Sequence, residues 1–338
     1  MAVPSSSALE PPRLLVLLAD GQLHSGQWLA QELHVSRAAV WKGVERLRTL
    51  GVDVQAQARR GYRLPGPVEL LDARRVRAQL DVARRTQLRD VELLFAVDST
   101  NTRLLAAAAP PSGRADVCVS ELQHAGRGRR GRAWMAPFAQ GLCMSVGWSF
   151  SDGARALPGL SLGVGVAVAR ALARAGAVGV ALKWPNDIVL RDRKLGGILI
   201  ELRAEASGPA HVVIGIGINV ALSSASRAAI QASGVAVAAV ADACKKAPSR
   251  NLVAGAILDE VLSMLAQFEA DGFGSVHDAW TSLDALNGRS AQIVTGDRTI
   301  AGTARGVDIE GALLLETDGR VQRFVSGEAS LRLIEGVT

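Results

Sequence analysis

Four arginines and three glycines alternate in Gly126-Arg127-Gly128-Arg129-Arg130-Gly131-Arg132, and an indole follows at Trp134. Glycine lets a backbone turn tightly and bring its N–H groups against an anion, and guanidinium groups form charge-assisted, often bidentate bonds to phosphate or carboxylate oxygens. Such a loop can hold something anionic. The run alone could also be a solvated basic segment, or one that binds RNA without order. Its flanks argue otherwise, because residues 116–122 before it and 141–150 after it read as apolar strands. A basic loop pinned between two buried strands is a site.

Three further stretches carry polar groups at strand ends. Lys183-Trp184-Pro185-Asn186-Asp187-Ile188 puts a lysine, an amide and a carboxylate beside a proline that must leave a β-ladder. Lys194-Leu195-Gly196-Gly197-Ile198 opens an apolar strand with a lysine and two glycines that permit close backbone approach. Gly215-Ile216-Gly217-Ile218-Asn219 has half of a dinucleotide fingerprint but lacks the third glycine and the helix after it, so a nicotinamide site is rejected. Glycines in that strand either make room for a flat ligand or allow plain close packing.

The elements that must position these groups can be read in order. Residues 1–12, with three serines and several prolines, are expected to be disordered. Helices are expected over 13–19, over 26–33 behind Ser25, and over 37–50 behind Ser36, with Val40, Val44, Leu47 and Leu50 on one stripe. A hairpin of 52–55 with 62–64, tipped by Arg59-Arg60-Gly61, completes a winged helix-turn-helix over 13–65. Its third helix keeps Arg37, Lys42, Arg46 and Arg48 off the apolar stripe, as a helix lying in a major groove requires; a basic solvated helix is the plain alternative. Residues 66–90 read as a helical connector. From 91 to 285, strands at 91–97, 178–184, 195–202 and 212–220 mix with helices at 102–109, 158–175 and 251–270, without a regular βαβ rhythm. A mixed sheet covered by helices is expected, with 223–247 partly a mobile loop over the site. From 286 to 338, short strands separated by Gly/Asp turns predict a small β-barrel-like unit.

Composition narrows the class. With 338 residues and 49% hydrophobic content the chain can bury real cores. Of the net charge of +6, residues 1–90 hold fourteen Lys/Arg against nine Asp/Glu, which favours a nucleic-acid partner for that part. Cys118, Cys143 and Cys244 lack paired metal-ligand spacing and read as reduced thiols, and the five histidines show no ligand pattern. No metal site is indicated. The apolar run 14–19 is too short to span a membrane, so neither membrane nor anchor is expected and the cytoplasm is the default.

Taken together and in order, Ser99-Thr100-Asn101, Gln123 followed by 126–132 and Trp134, 183–187, Lys194 to Gly197, and 215–219 resemble the signature of biotin protein ligases. The helix-turn-helix in front, with Ser36-Arg37-Ala38-Ala39-Val40 and Gly61-Tyr62, resembles the bifunctional kind that also represses biotin-synthesis genes. Gly327-Glu328-Ala329-Ser330-Leu331-Arg332 is similar to the end of that family's C-terminal domain. The resemblance implies an α+β multidomain protein: an N-terminal winged helix-turn-helix, a central mixed β-sheet with helices of the class II aminoacyl-tRNA-synthetase-like biotin/lipoate ligase fold, and a C-terminal SH3-like β-barrel. Alignment departs at Ala221, where many relatives carry a second asparagine.

The implied reaction has two steps. Biotin and MgATP give biotinyl-5′-adenylate and pyrophosphate, and a lysine of the biotin carboxyl carrier protein of acetyl-CoA carboxylase then attacks the mixed anhydride. The nucleophile belongs to the partner, so no Ser/His/Asp or Cys/His set is needed. The resemblance implies catalytic roles for Lys194, Arg129, Arg132 and Asp187. It implies biotin contacts from Ser99, Thr100, Asn101, Gln123, Gly126, Arg127, Lys194, Gly197 and Gly215. Adenylate contacts fall to Arg129, Arg130, Arg132, Trp134, Lys183, Asn186, Asn219 and Arg332. DNA contacts fall to Ser36, Arg37, Lys42, Arg46, Arg59 and Arg60. The small molecules implied are biotin, ATP and Mg2+; the partners are the carrier protein, a second copy in a homodimer, and a double-stranded inverted-repeat operator. A lipoate–protein ligase and a small-molecule-sensing transcription factor without turnover are the rivals. The arginine-glycine loop and winged helix weigh against the first, and the full lysine and arginine set against the second.

Overall fold

The computed structural model describes residues 11–151, 157–204, 209–295, 298–325 and 330–333, so most of the expected disordered N-terminus lies outside the described residues. Helices α1 (Arg13–Leu18), α2 (Gly26–Glu32) and α3 (Arg37–Thr49) open it. The Ser25 and Ser36 hydroxyls cap α2 and α3 by accepting from Trp28 N and Ala39 N. Val40, Val44 and Leu47 turn inward against Leu14, Leu15, Leu18 and Leu29.

The wing is shifted from its expected position. Strand β1 (Gln55–Gln57) pairs with β2 (Gly61–Arg63), while Val52 and Val54 leave the hairpin for the core. Burying a valine contributes about 1.5–3 kcal/mol, more than an edge-ladder bond. Arg48 satisfies the Val54 carbonyl that this frees, donating from Nε and Nη2 at 2.9 and 2.7 Å. Arg48 is therefore a strut to the wing and not a groove-facing cation.

The expected connector helix is two short ones, α4 (Ala73–Ala78) and α5 (Val82–Gln87), divided because Asp81 caps a fresh helix start at Ala83 N. The central unit follows: β3 (Leu88–Val97), α6 (Thr100–Leu105), β4 (Ala115–Gln123), β5 (Gly141–Phe150), α7 (Leu160–Arg174), β6 (Val180–Lys183), β7 (Asp187–Leu190), β8 (Arg193–Ala204), β9 (Ala210–Asn219), α8 (Ser224–Gln231), α9 (Arg250–Asp271) and α10 (His277–Leu283). Among the described residues these strands form one mixed sheet, ordered β3-β4-β5-β9-β8-β7-β6, in which β3 and β4 run parallel and the other pairs antiparallel. Strand β7 is unforeseen; it turns the stretch after Pro185 back along β6.

Period-2 alternation divides the sheet. Leu142, Val146, Trp148 and Phe150 of β5, with Val212, Ile214, Ile216 and Ile218 of β9, face α7 and α9, and Phe150 meets Phe268 edge-on at 6.2 Å. The opposite face carries α6 and, beyond it, the polar groups described below. Helix α9 is long and apolar enough to cross a membrane, but most of it is buried in this core.

A five-stranded antiparallel sheet closes the described chain: β10 (Ser290–Thr295), β11 (Arg298–Val307), β12 (Leu313–Thr317), β13 (Arg320–Phe324) and β14 (Ser330–Leu333), ordered β13-β12-β11-β10-β14. Its Ile293, Ala304 and Leu315 join the central core, and the Trp184 indole N–H donates to Gly311 O at 3.2 Å across the junction.

Residues 66–90 are a clasp more than a linker. Glu69 accepts from Ser249 Oγ, Arg250 N and Asn251 Nδ2 at 2.6, 2.7 and 2.9 Å, and Asn251 Oδ1 accepts from Asp72 N at 2.8 Å. Arg250 pairs with the buried Glu121 at 2.9 Å. Phe95 and Leu122 of the central sheet, with Phe138 beside them, complete the core of the winged helix.

Candidate active site

The arginine-glycine loop is an ordered hairpin. Arg127 bridges to Ala133, Trp134 N donates to Gly126 O at 2.9 Å, and Arg130 and Gly131 turn the tip at φ 56° and 71°. A Cβ on Gly126 would lie 2.5 Å from Trp134 O, so glycine there closes the hairpin, and Gly126 does not line the cavity beneath.

That cavity, about 270 Å3, lies over the polar face of the sheet. At one end is a neutral hydrogen-bonding set. Thr100 N and Oγ1 donate to Gln123 Oε1 at 2.8 and 3.1 Å, and the Ser145 hydroxyl lies 2.6 Å from both Thr100 Oγ1 and Asn101 Oδ1. Asn101 Nδ2 donates to Glu201 Oε2 at 2.7 Å, and Arg127 Nη2 pairs with the same oxygen at 2.9 Å. Ser99 stands at the start of α6 without a side-chain capping bond and is among the residues that line the cavity. Arg127 is thereby neutralised by Glu201 at the rim.

Two glycines shape the floor. A Cβ on Gly215 would come within 2.5 Å of Asn101 Oδ1, and one on Gly217 within 2.5 Å of the Trp134 indole. Only bare backbone lets the indole lie flat on β9. Cys143 is part of the wall, and burial pushes its thiol up to about 12, which keeps it protonated and unreactive.

At the other end are cations. Lys194 Nζ donates to Asp187 Oδ1 at 2.6 Å and stands 5.9 Å from the Trp134 ring centre. Arg129 Nη1 reaches Asn186 Oδ1 at 3.5 Å, and burial, with Arg130 nearby, holds its guanidinium below the usual arginine range. Asn186 is fixed by donating to Ile198 O at 2.6 Å, and Arg132 lines the same end. Asn219 anchors the wall through Ala238 O at 3.1 Å. The segment 223–247 carries α8 and a stretch clamped to the Lys194 backbone: Lys194 N donates to Ala236 O and Ala238 N to Lys194 O, both at 2.8 Å. Ile230, Val235 and Val237 form its apolar cover.

Ser99, Thr100, Asn101, Gln123, Arg127, Arg129, Arg132, Trp134, Asn186, Asp187, Lys194, Gly197, Gly215 and Asn219 thus meet around one cavity. Three expected residues do not line it. Besides Gly126, Arg130 is exposed at the hairpin tip, and Lys183 sits opposite Asp187 on β6, its pKa lowered by burial. Arg332 lies on β14 opposite Gln292, and its side chain is outside the described residues. Ser145 and Glu201 escaped the sequence reading; each is a polar residue inside a largely apolar strand run, and only the alternation of β5 and β8 could have pointed them at the site. On the winged helix, Ser36 is a cap, and Arg37, Lys42, Arg46, Arg59 and Arg60 are exposed.

Known protein families match each of the three units in turn. A family model described as the biotin/lipoate A/B protein ligase family matches residues 94–219, an HTH domain matches 13–63, and a biotin protein ligase C-terminal domain matches 288–332. The chain is similar to the bifunctional ligase/repressor BirA of Salmonella typhimurium, 41% identical over 96% of this chain and 98% of that one. It is 30% identical to the protein of the same name from Bacillus subtilis, over 93% and 95%. Among solved structures it resembles the biotin protein ligase of Aquifex aeolicus in complex with biotin and ATP, with a TM-score of 0.61 and 26% identity over 73% of this chain and all of that one.

Proposed function

The chain belongs to the bifunctional biotin protein ligases, and from that premise we propose how its residues divide the work. It joins biotin to protein with ATP, and its helix-turn-helix makes it a repressor as well. The observation that carries the reading is the polarity of the cavity: neutral donors and acceptors at one end, Lys194, Arg129 and Arg132 at the other, and the Trp134 indole between.

The neutral end suits the ureido head of biotin, a polar group that must find partners when buried. Thr100, Gln123, Ser145 and Asn101 are arranged to supply them, with Ser99 at the rim, and Gly197 and Gly215 leave the slot open for the rest of the molecule. The carboxylate then projects towards Lys194 and the arginines. There it attacks the α-phosphorus of ATP, the bond to the pyrophosphate leaving group breaks, and biotinyl-5′-adenylate forms. Four or more negative charges meet in that step, and Arg129, Arg132 and Lys194 offset them without reorganising. Trp134 offers a face to the adenine, and Asn186 and Asn219 hold the walls around it. Magnesium comes in with the nucleotide as part of that substrate.

In the second step the ε-amine of a carrier-protein lysine attacks the acyl carbon, the acyl–phosphate bond breaks and AMP leaves. Lys194 polarises the acyl oxygen, and Asp187, 2.6 Å from it, is placed to orient or deprotonate the incoming amine. The acceptor is the biotin carboxyl carrier protein of acetyl-CoA carboxylase, and the reaction belongs to the cytoplasm. Adenylate retained in the cavity favours a homodimer, and two winged helices engage an inverted-repeat operator. The coupling requires adenylate to bind the dimer better than the monomer.

Exchange of labelled pyrophosphate into ATP tests the first half. Exchange with biotin and not lipoate supports the reading; exchange with lipoate moves the chain to the lipoate side of the family. None with either, from folded protein, favours a sensor without turnover.

A further inference from the structure

Helix α3 presents an unusual set of side chains to solvent. Val40, Val44 and Leu47 face inward, so Ala38, Lys42 and Thr49 occupy the outward pole, with Arg37 and Trp41 one turn apart on the flank shared with Arg48. Trp41 is 54% exposed and Val35 44%, and Ala38 and Ala39 beside them are exposed too. A tryptophan is among the side chains that gain most from burial. The same helix exposes Arg37 and Lys42 beside it, and the wing exposes Arg59 and Arg60 at its tip, a set of cations that suits a polyanion.

The major groove can be read in a few ways. Arginine and lysine read guanine, asparagine and glutamine read adenine, carboxylates accept from cytosine, and apolar groups pack on the thymine methyl. Residues 35–43 contain no asparagine, glutamine, aspartate or glutamate. A serine can meet a base too, but the Ser36 hydroxyl is engaged in capping α3 at Ala39 N, so apart from its cations the leading part of the helix can read thymine and little else. Ala38 and Ala39 are small enough to let the helix approach closely, and the indole is the one large apolar side chain that α3 exposes.

Resting on the repressor reading above, we propose that Trp41 is a specificity-determining residue for the operator, packing its indole on thymine C5-methyl groups in the major groove. Phosphate contacts from Arg37, Lys42, Arg59 and Arg60 fix the docking and carry most of the affinity; Trp41 carries sequence.

The test uses full-length protein with biotin and ATP. Duplexes are selected from a randomised library with the wild type. Binding of the selected duplex, and of copies with each thymine replaced by deoxyuridine, is then measured over a range of NaCl concentrations. Removing the methyl at one or more positions should weaken the wild type about fivefold or more, the scale of a lost base contact. Trp41→Ala should lose about tenfold on the unmodified duplex, become insensitive to the same deoxyuridines, and keep the wild-type salt slope. Lys42→Ala should lower that slope by about one. Trp41→Phe should recover part of the methyl sensitivity. Wild-type indifference to every deoxyuridine, or a Trp41→Ala profile matching the wild type, overturns the proposal without touching the repressor reading. If the wild type selects no sequence, the repressor reading itself falls, and the proposal with it.

Discussion

The ammonium of Lys194 and the carboxylate of Asp187 meet at 2.6 Å across the turn between β7 and β8, where Asp187 pairs with Gly197 and Lys194 with Val189. A Cβ on Gly197 would lie 3.3 Å from Lys194 Nζ, so the glycine leaves the ammonium its place. The two residues should separate the half-reactions. Lys194→Ala is expected to lower biotin-dependent pyrophosphate exchange by about 100-fold or more, on the scale of removing a preorganised charge. Asp187→Asn should slow single-turnover transfer from preformed adenylate to carrier protein more than it slows exchange; equal losses in both would remove Asp187 from the transfer step.

Gly217 should tolerate no side chain. In Gly217→Ala the methyl carbon would stand 2.5 Å from the Trp134 ring, and the indole has to leave β9. Overpacking of this kind costs about 1–3 kcal/mol. The KM for ATP should rise more than the KM for biotin, because Trp134 lies nearer the cationic end. A KM for ATP equal to the wild type's would contradict the adenine-platform role.

Arg250 and Glu121 form a buried pair, with side-chain exposures of 7% and 0%. Arg250→Met leaves a carboxylate uncompensated in the core and should cost about 3–5 kcal/mol in urea unfolding. The double variant with Glu121→Gln should regain part of that loss, since the orphaned charge is then gone.

Glu69 gives the clasp an acid limit. Burial pushes its pKa up, but bonds from Asn251, Ser249 and Arg250 N, with the charge of Arg75, outweigh that and hold it below the ordinary value. A carboxylate with a depressed folded pKa adds stability above its unfolded value, about pH 4.3, and loses it as pH falls through the folded one. Urea midpoints of wild type and Glu69→Gln should therefore differ at pH 7 and converge towards pH 3. A gap that is constant with pH would argue that Glu69 acts by packing alone.

Local signals made much of this architecture readable in advance. Ser25, Ser36 and the Val40/Val44/Leu47 stripe define the helices of the first unit, and glycine-rich runs with a polar end residue, Lys194 and Asn219, mark the rims of β8 and β9. What escaped depends on groups distant in sequence. Val52 and Val54 look like hairpin residues until a core is there to receive them, and nothing near Glu201 indicates that Arg127, seventy-four residues earlier, closes on it. Lys183 has the same neighbours in sequence as Asn186 and Asp187, but β7 folds back after Pro185 and carries those two into the cavity without it.

The shared footing of the winged helix has a bearing on protein engineering. Phe95, Leu122 and Phe138 are covered by the DNA-binding unit, and each lies within four residues of a cavity group: Ser99, Gln123 and Trp134. A shortened ligase made by deleting residues 1–65 would carry these three side chains as a bare adhesive patch, each within four residues of a group that lines the substrate slot. Trimming alone would therefore yield a protein prone to self-association. A well-behaved single-purpose enzyme from this chain calls for polar replacements at those positions, and a transplanted winged helix from another repressor would have to match the same three contacts.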